Sequence, residues 1–171
     1  MPAENADLTM AFSRKFGPKK PLEPARALLR LEELCARSEH CEGELREKLR
    51  KWLVSEEDAD TILSSLRRRR YVDDERFARA YVRDKFRFDH WGRRKIELTL
   101  RRKRVDADVI ADALEEIDAD DYMAMLRKLL AYKARSLPDA GAYENRVKLM
   151  RFAIGRGFEP QLVVKALDSM K

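Results

Sequence analysis

One helical pattern recurs three times along this chain, and it leaves little else for the chain to fold into. Glu44-Leu45-Arg46-Glu47-Lys48-Leu49 lines up with Lys95-Ile96-Glu97-Leu98-Thr99-Leu100 at a shift of 51 residues. The same shift carries Val54-Ser55 to Val105-Asp106, and Ala59, Ile62, Leu63 and Leu66 to Ile110, Ala113, Leu114 and Ile117. A shift of 53 then carries Ile96, Leu100, Val105, Ile110, Leu114 and Ile117 to Leu149, Ala153, Phe158, Val163, Leu167 and Met170. A self-similarity of about 50 residues marks a tandem architecture in which each copy is one supersecondary unit.

Within each copy the apolar residues fall at helical spacing, and no alternating strand pattern survives beside them. Helices are predicted over 25–37, 42–53, from Ser55 through Leu66 and ending in Arg67 to Arg70, then over 73–87, 91–103, 106–117, 119–135, 141–155 and 159–170. Ser55, Asp73 and Asp106 each stand where an N-cap belongs, and Ser55 and Asp73 are followed by acids that suit the first turn. A three-helix unit of about 50 residues buries little core alone, so neighbouring copies are expected to cover one another. The expectation is an all-α chain of three tandem three-helix repeats, arranged as an elongated, curved, right-handed-type helical array. The boundaries are a mobile basic tail over 1–24, then repeats over 25–70, 71–118 and 119–171. The tail lacks periodicity and holds Pro2, Gly17, Pro18 and Pro21 beside Arg14, Lys15, Lys19 and Lys20.

Composition narrows the function. Apolar residues make up 44% of the 171 and charged ones 40%, enough for a folded core. No apolar run reaches the length of a membrane span. No apolar stretch follows the first Met, so no secretory signal is expected, and two Cys fit a reducing, cytoplasmic setting.

The net charge of +6 is unevenly placed. Sixteen basic and six acidic residues lie between Arg67 and Arg104, a local +10, which leaves −4 for the rest. On the helix from Asp74, the arginines Arg76, Arg79, Arg83 and Arg87 form a stripe opposite Phe77, Tyr81 and Phe88, which should face the core. On the next helix Arg94, Lys95, Arg101 and Arg102 gather away from Ile96 and Leu100. Arg67 to Arg70 end the preceding helix, where cations suit the dipole. Like charges at i, i+4 cost a few tenths of a kcal/mol per pair, so a concentrated face suggests an acidic partner. Arginine forks suit phosphates and carboxylates alike, and composition does not choose between nucleic acid and an acidic protein groove.

Catalytic signatures are missing. No glycine-rich phosphate loop and no dinucleotide fingerprint occurs. His40 and His90 sit in equivalent interhelical turns, which favours structural roles. Cys35, His40 and Cys41 match no common zinc spacing. Trp52 reads as core. Trp91 stands at a helix start, where stacking on a base is a less favoured alternative to packing. The chain reads as a binding protein without enzymatic activity, cofactor or metal.

The run Tyr71-Val72-Asp73-Asp74-Glu75-Arg76-Phe77-Ala78, followed by Gly92-Arg93-Arg94-Lys95-Ile96 and Leu100, resembles the RecX family of bacterial recombination regulators. Arg37-Ser38 with Glu44-Leu45 and Leu49, and Gly157-Phe158 with Ala166-Leu167, resemble the flanking family repeats. The resemblance covers about 25–171. It implies binding to the RecA recombinase filament on DNA, with modulation, mostly inhibition, of ATP hydrolysis, filament growth and strand exchange in recombination and repair. It also implies binding to single- or double-stranded DNA by a protein expected to be monomeric and cytoplasmic. On this reading the partner-binding face comprises Arg67, Arg68, Arg70, Arg76, Arg79, Arg83, Arg87, Arg93, Arg94, Lys95, Arg101 and Arg102. Tyr71, Asp73, Asp74, Phe77, Gly92, Ile96 and Leu100 form the structural motif. Arg102-Lys103-Arg104-Val105 stands where the family commonly has a Gly, which leaves that turn's geometry open. The alternative is a stand-alone nucleic-acid-binding helical repeat protein.

Overall fold

The structure, a computed structural model, describes residues 20–138 and 142–170; the tail ahead of Lys20 lies outside them. The described residues fold into helices alone: α1 (Pro24–Arg37), α2 (Glu42–Lys51), α3 (Glu56–Arg68), α4 (Asp74–Arg87), α5 (Arg93–Arg102), α6 (Ala107–Glu115), α7 (Ala119–Ala134), α8 (Tyr143–Gly155) and α9 (Pro160–Asp168). In each group of three the first helix is the longest, at 14, 14 and 16 residues. None is long and apolar enough to cross a membrane.

Local chemistry sets the helix starts. Ser55 accepts a bond from the Asp58 amide at 3.1 Å, and its hydroxyl donates to the Asp58 carboxylate at 2.7 Å. Asp73 accepts from the Arg76 amide at 3.0 Å, and Asp118 from Asp120 and Asp121. Each satisfies amides that the first turn leaves without partners. Asp106 stands at the N-cap of α6 but makes no side-chain cap bond; its expected capping role is corrected.

The chain divides into two compact units. One takes the residues up to Ser38 together with Glu44–Tyr71. Its core is Ala27, Leu31, Leu45, Leu49, Ala59, Ile62, Leu63 and Leu66, the apolar faces of α1, α2 and α3. Trp52 is half-buried at its edge, under the Arg30 guanidinium at 5.7 Å, and its carbonyl accepts from the Leu22 amide.

The other unit takes Glu39–Gly43 and Val72–Lys171. One continuous core joins α4 to α9, running from Phe77, Val82 and Phe86 through Ile96, Leu100 and Ile110 to Tyr122, Leu149, Phe158 and Val163. Ten of the twelve core positions matched between the second and third copies are buried. Leu114 is partly so, and Met170 is 37% exposed because α9 ends two residues before it. Phe88 is also corrected: it is 75% exposed at the end of α4. The buried arc of α4 is centred on Ala78, Val82 and Phe86, with Phe77 at its margin.

The turn after the second helix of each group repeats as a backbone conformation rather than as a residue type. Leu53, Arg104 and Gly157 occupy equivalent places and all have positive φ, at 57°, 63° and 94°. The turn at Arg104 therefore keeps the left-handed geometry that glycine favours, at a cost of order 1 kcal/mol.

The second unit also contains a tight joint between helix ends. The Gly92 amide donates to the Arg156 carbonyl at 2.8 Å, and the Arg94 amide to the Gly157 carbonyl at 3.1 Å. The positive end of α5 thus meets the negative end of α8. A Cβ at Gly92 would lie 2.3 Å from the Gly157 carbonyl carbon, so only glycine permits this approach. A Cβ at Gly43 would likewise lie 1.9 Å from the Lys103 carbonyl oxygen.

Candidate partner-binding basic face

The basic residues divide by what they already touch. Arg67, Arg68 and Arg70 are exposed at the end of α3, in the first unit. Their neighbour Arg69 is ion-paired to Glu32 and lies over the Tyr71 ring.

In the second unit the stripe on α4 is less purely basic than its own helix suggests, because other segments bring acids to it. Arg76 pairs with Glu39 at 2.7 Å, and Arg79 with Glu116 at 3.1 Å. On α5, Arg101 pairs with Glu97 at 2.6 Å. Pairs this exposed contribute about 0–1 kcal/mol, so a phosphate or a better-placed carboxylate can displace them. Arg83, Arg87, Arg94 and Arg102 are exposed. Among the described residues no ion pair engages these four. Within the expected face of the second unit, these four are the exposed cations that no carboxylate holds.

Arg83 and Arg87 edge a cleft of about 190 Å³ that also takes Val82, Phe86, Ile117, Glu116, Asp118 and Asp121. Its acids temper the two arginines. Arg94, Lys95 and Arg101 instead line a wider, shallower groove between α5 and α8, with Leu98, Ile154, Gly155 and Glu97.

Arg93 differs from the rest of the expected face. Its guanidinium donates to the Ile117 carbonyl at 2.8 Å and lies 4.1 Å from the centre of the Tyr122 ring. It holds α5 to the α6–α7 turn. Tyr122 is the hub there: its hydroxyl accepts from the Arg93 amide at 2.9 Å and donates to Glu159 at 2.6 Å. Burial first, and then that bond to Glu159, push its phenol well above the ordinary tyrosine value. Its ring packs on Phe86 and Phe158.

Lysines and aromatic rings alternate along the α4–α5 side. Lys103 lies over Phe77 and Tyr81, Lys85 over Tyr81 and Trp91, and Lys95 over Trp91 at 4.2 Å. Lys85 also bonds Asp89 at 2.6 Å, which holds its ammonium above the usual lysine value. Trp91 is half-buried beneath these cations. The i, i+4 spacing of Phe77, Tyr81 and Lys85 and of Trp91 and Lys95 contained this pattern.

The structural motif is placed as follows. Phe77, Gly92, Ile96 and Leu100 are buried, and Tyr71 is half-buried. Asp73 caps α4, and Asp74 accepts from the Glu42 amide at 2.8 Å. Burial raises the Asp74 pKa; that hydrogen bond opposes the rise, and nearby carboxylates add to it. Among the described residues no cluster of His, Cys, Asp and Glu could hold a metal ion. Cys41 contacts the Lys103 carbonyl at 3.6 Å.

This architecture matches known proteins. Residues 73–114 match the family description "RecX, second three-helix domain". A curated relative, "Regulatory protein RecX" of Prosthecochloris aestuarii, is 33% identical over 135 residues, covering 77% of this chain and 85% of its own length. The chain belongs to the RecX family. A RecX of Clostridium perfringens strain SM101 is 31% identical over 119 residues, and one of Geobacillus thermodenitrificans is 38% identical over 130. The chain spans about half the length of these two, 55% and 47%. Among solved structures, RecX from Lactobacillus salivarius superposes with a TM-score of 0.77 at 19% identity, covering 86% of this chain and 96% of that one. At such identity the likeness concerns the fold.

Proposed function

We propose that this protein binds the RecA recombinase filament on DNA and restrains it, slowing ATP hydrolysis, filament growth and strand exchange. What carries the reading is membership of a family of regulatory proteins; action on RecA is what resemblance to that family implies. The exposed cations of the second unit supply the chemistry. Arg83, Arg87, Arg94 and Arg102 face a partner without first giving up an internal carboxylate. Arg76, Arg79 and Arg101 join them by exchanging weak surface pairs. Lys95 belongs with them, Arg67, Arg68 and Arg70 offer further cations on the first unit, and Arg93 acts within the fold. The protein works as a cytoplasmic monomer and without chemistry of its own.

The test is RecA's single-stranded-DNA-dependent ATP hydrolysis. Substoichiometric protein should suppress it, and no effect at equimolar protein overturns the reading. Reversing Arg83 and Arg94 to Glu should weaken the suppression without lowering the melting temperature; unchanged suppression removes them from the interface. Tight DNA binding with a steep salt dependence and no effect on RecA would favour a stand-alone nucleic-acid-binding protein.

A further inference from the structure

The groove between α5 and α8 differs from the cleft at Arg83 and Arg87 in that its apolar residues are exposed rather than buried. Leu98 is 51% exposed and Ile154 38% exposed, and both line it. Its volume is about 580 Å³. An exposed leucine and isoleucine facing one hollow leave apolar surface in water that a partner can cover.

Gly155 supplies a second observation. A Cβ built there meets nothing within 4 Å. It closes α8 without a positive φ, so neither turn geometry nor packing in this chain calls for glycine. A bare backbone in the floor of an open groove is what a second backbone needs in order to come close.

The charge at the rim selects the partner. Arg94, Lys95 and Arg101 stand against Glu97 alone, which is committed to Arg101. Cations around an apolar floor fit an acidic segment with an apolar anchor. A nucleic-acid backbone is anionic but has nothing to fill the space between Leu98 and Ile154, and the groove offers no exposed aromatic ring for a base to stack on.

We infer that the α5–α8 groove is a docking site for an acidic segment of a partner protein. That segment seats an aliphatic side chain between Leu98 and Ile154 and lays its backbone over Gly155. This deepens the proposed function by separating its two ligands: protein at the α5–α8 groove, DNA phosphates elsewhere on the basic face.

The experiment uses the full chain and three labelled probes in fluorescence anisotropy. These are an acidic peptide of glutamates with leucines at i and i+4, its alanine-substituted counterpart, and an oligothymidylate. Leu98→Asp and Gly155→Trp both change exposed positions, so the fold should persist, and circular dichroism melting checks that it does. The leucine peptide should bind tighter than the alanine peptide. Each variant should weaken it by about tenfold or more, the loss expected when one aliphatic anchor no longer desolvates, and oligothymidylate binding should not change. Equal binding of both peptides, or parallel loss of peptide and oligothymidylate in the variants, overturns the inference. Assayed on RecA, the same variants should lose suppression; variants that keep full suppression overturn the groove assignment and leave the proposed function standing. A wild-type chain that fails to suppress RecA refutes the proposed function alone, and the peptide comparison still decides the groove.

Discussion

Replacing Gly92 by alanine tests the helix-end joint with one carbon atom. The backbone there, φ −78° and ψ 163°, suits any residue, so the effect is steric. The new Cβ would lie 2.3 Å from both the Gly157 carbonyl carbon and oxygen, and 2.4 Å from the Phe158 nitrogen. These are backbone atoms and cannot swing aside, so α5 must withdraw from the turn. Withdrawal breaks the bonds from the Gly92 amide to Arg156 and from the Arg94 amide to Gly157. Each contributes about 1 kcal/mol net, and more where the parted groups stay dry. Alanine is also a poorer N-cap than glycine. The sum is roughly 2–4 kcal/mol, which for about a hundred residues lowers the melting midpoint by about 10 °C or more. The assay is thermal unfolding followed by Trp91 fluorescence in a Trp52→Phe background, so that the adjacent indole reports on the second unit. Gly155→Ala is the matched control, since nothing lies within 4 Å of its Cβ, and it should melt at or above the parent temperature. A Gly92→Ala protein that melts with the parent would refute the argument that this contact determines the joint.

Other perturbations probe neighbouring features. Tyr122→Phe removes the hydroxyl that serves both the Arg93 amide and Glu159, leaving two polar groups unmatched; a loss of about 2–3 kcal/mol is expected in urea unfolding. Asp74→Asn keeps an oxygen for the Glu42 amide but removes a carboxylate whose pKa is raised by burial. A raised carboxylate binds its proton more tightly when folded, so it stabilises at low pH and costs stability as pH climbs from the ordinary aspartate value through the raised one. The asparagine variant should gain on the parent across that window and hold the gain above it, measured as unfolding free energy against pH; a constant difference would contradict the assignment. Arg104→Gly relieves a positive φ of 63° and should raise the melting midpoint, with a gain of up to about 1 kcal/mol.

Much of the fold was legible because the repeat is written in core positions. Ile96, Leu100, Val105 and Ile110 and their counterparts Leu149, Ala153, Phe158 and Val163 are all buried, and two of the three expected caps bond as expected. Phe88 and Met170 mislead for one physical reason: each continues the periodicity of a helix past its last turn, where no neighbour remains to cover it. The candidate face was legible as a set of cations but not as a surface. A helical wheel shows one helix, whereas Glu39 and Glu116 come to Arg76 and Arg79 from other segments. Ile154 and Gly155 likewise reach Leu98 from more than fifty residues away. Arg93 looked equivalent to Arg94, and only the position of Tyr122 separates the inward guanidinium from the outward one.

The joint at Gly92 also determines which part of the molecule opens to solvent isotope. Helix beginnings ordinarily exchange their amide protons early, because the first four have no carbonyl within the helix. At the start of α5 the Gly92, Arg93 and Arg94 amides are bound in turn by Arg156, the Tyr122 hydroxyl and Gly157. Deuterium therefore enters that first turn only when α8 and α7 let go of it, so the end of α5 that would usually fray marks the slow, cooperative opening of the second unit.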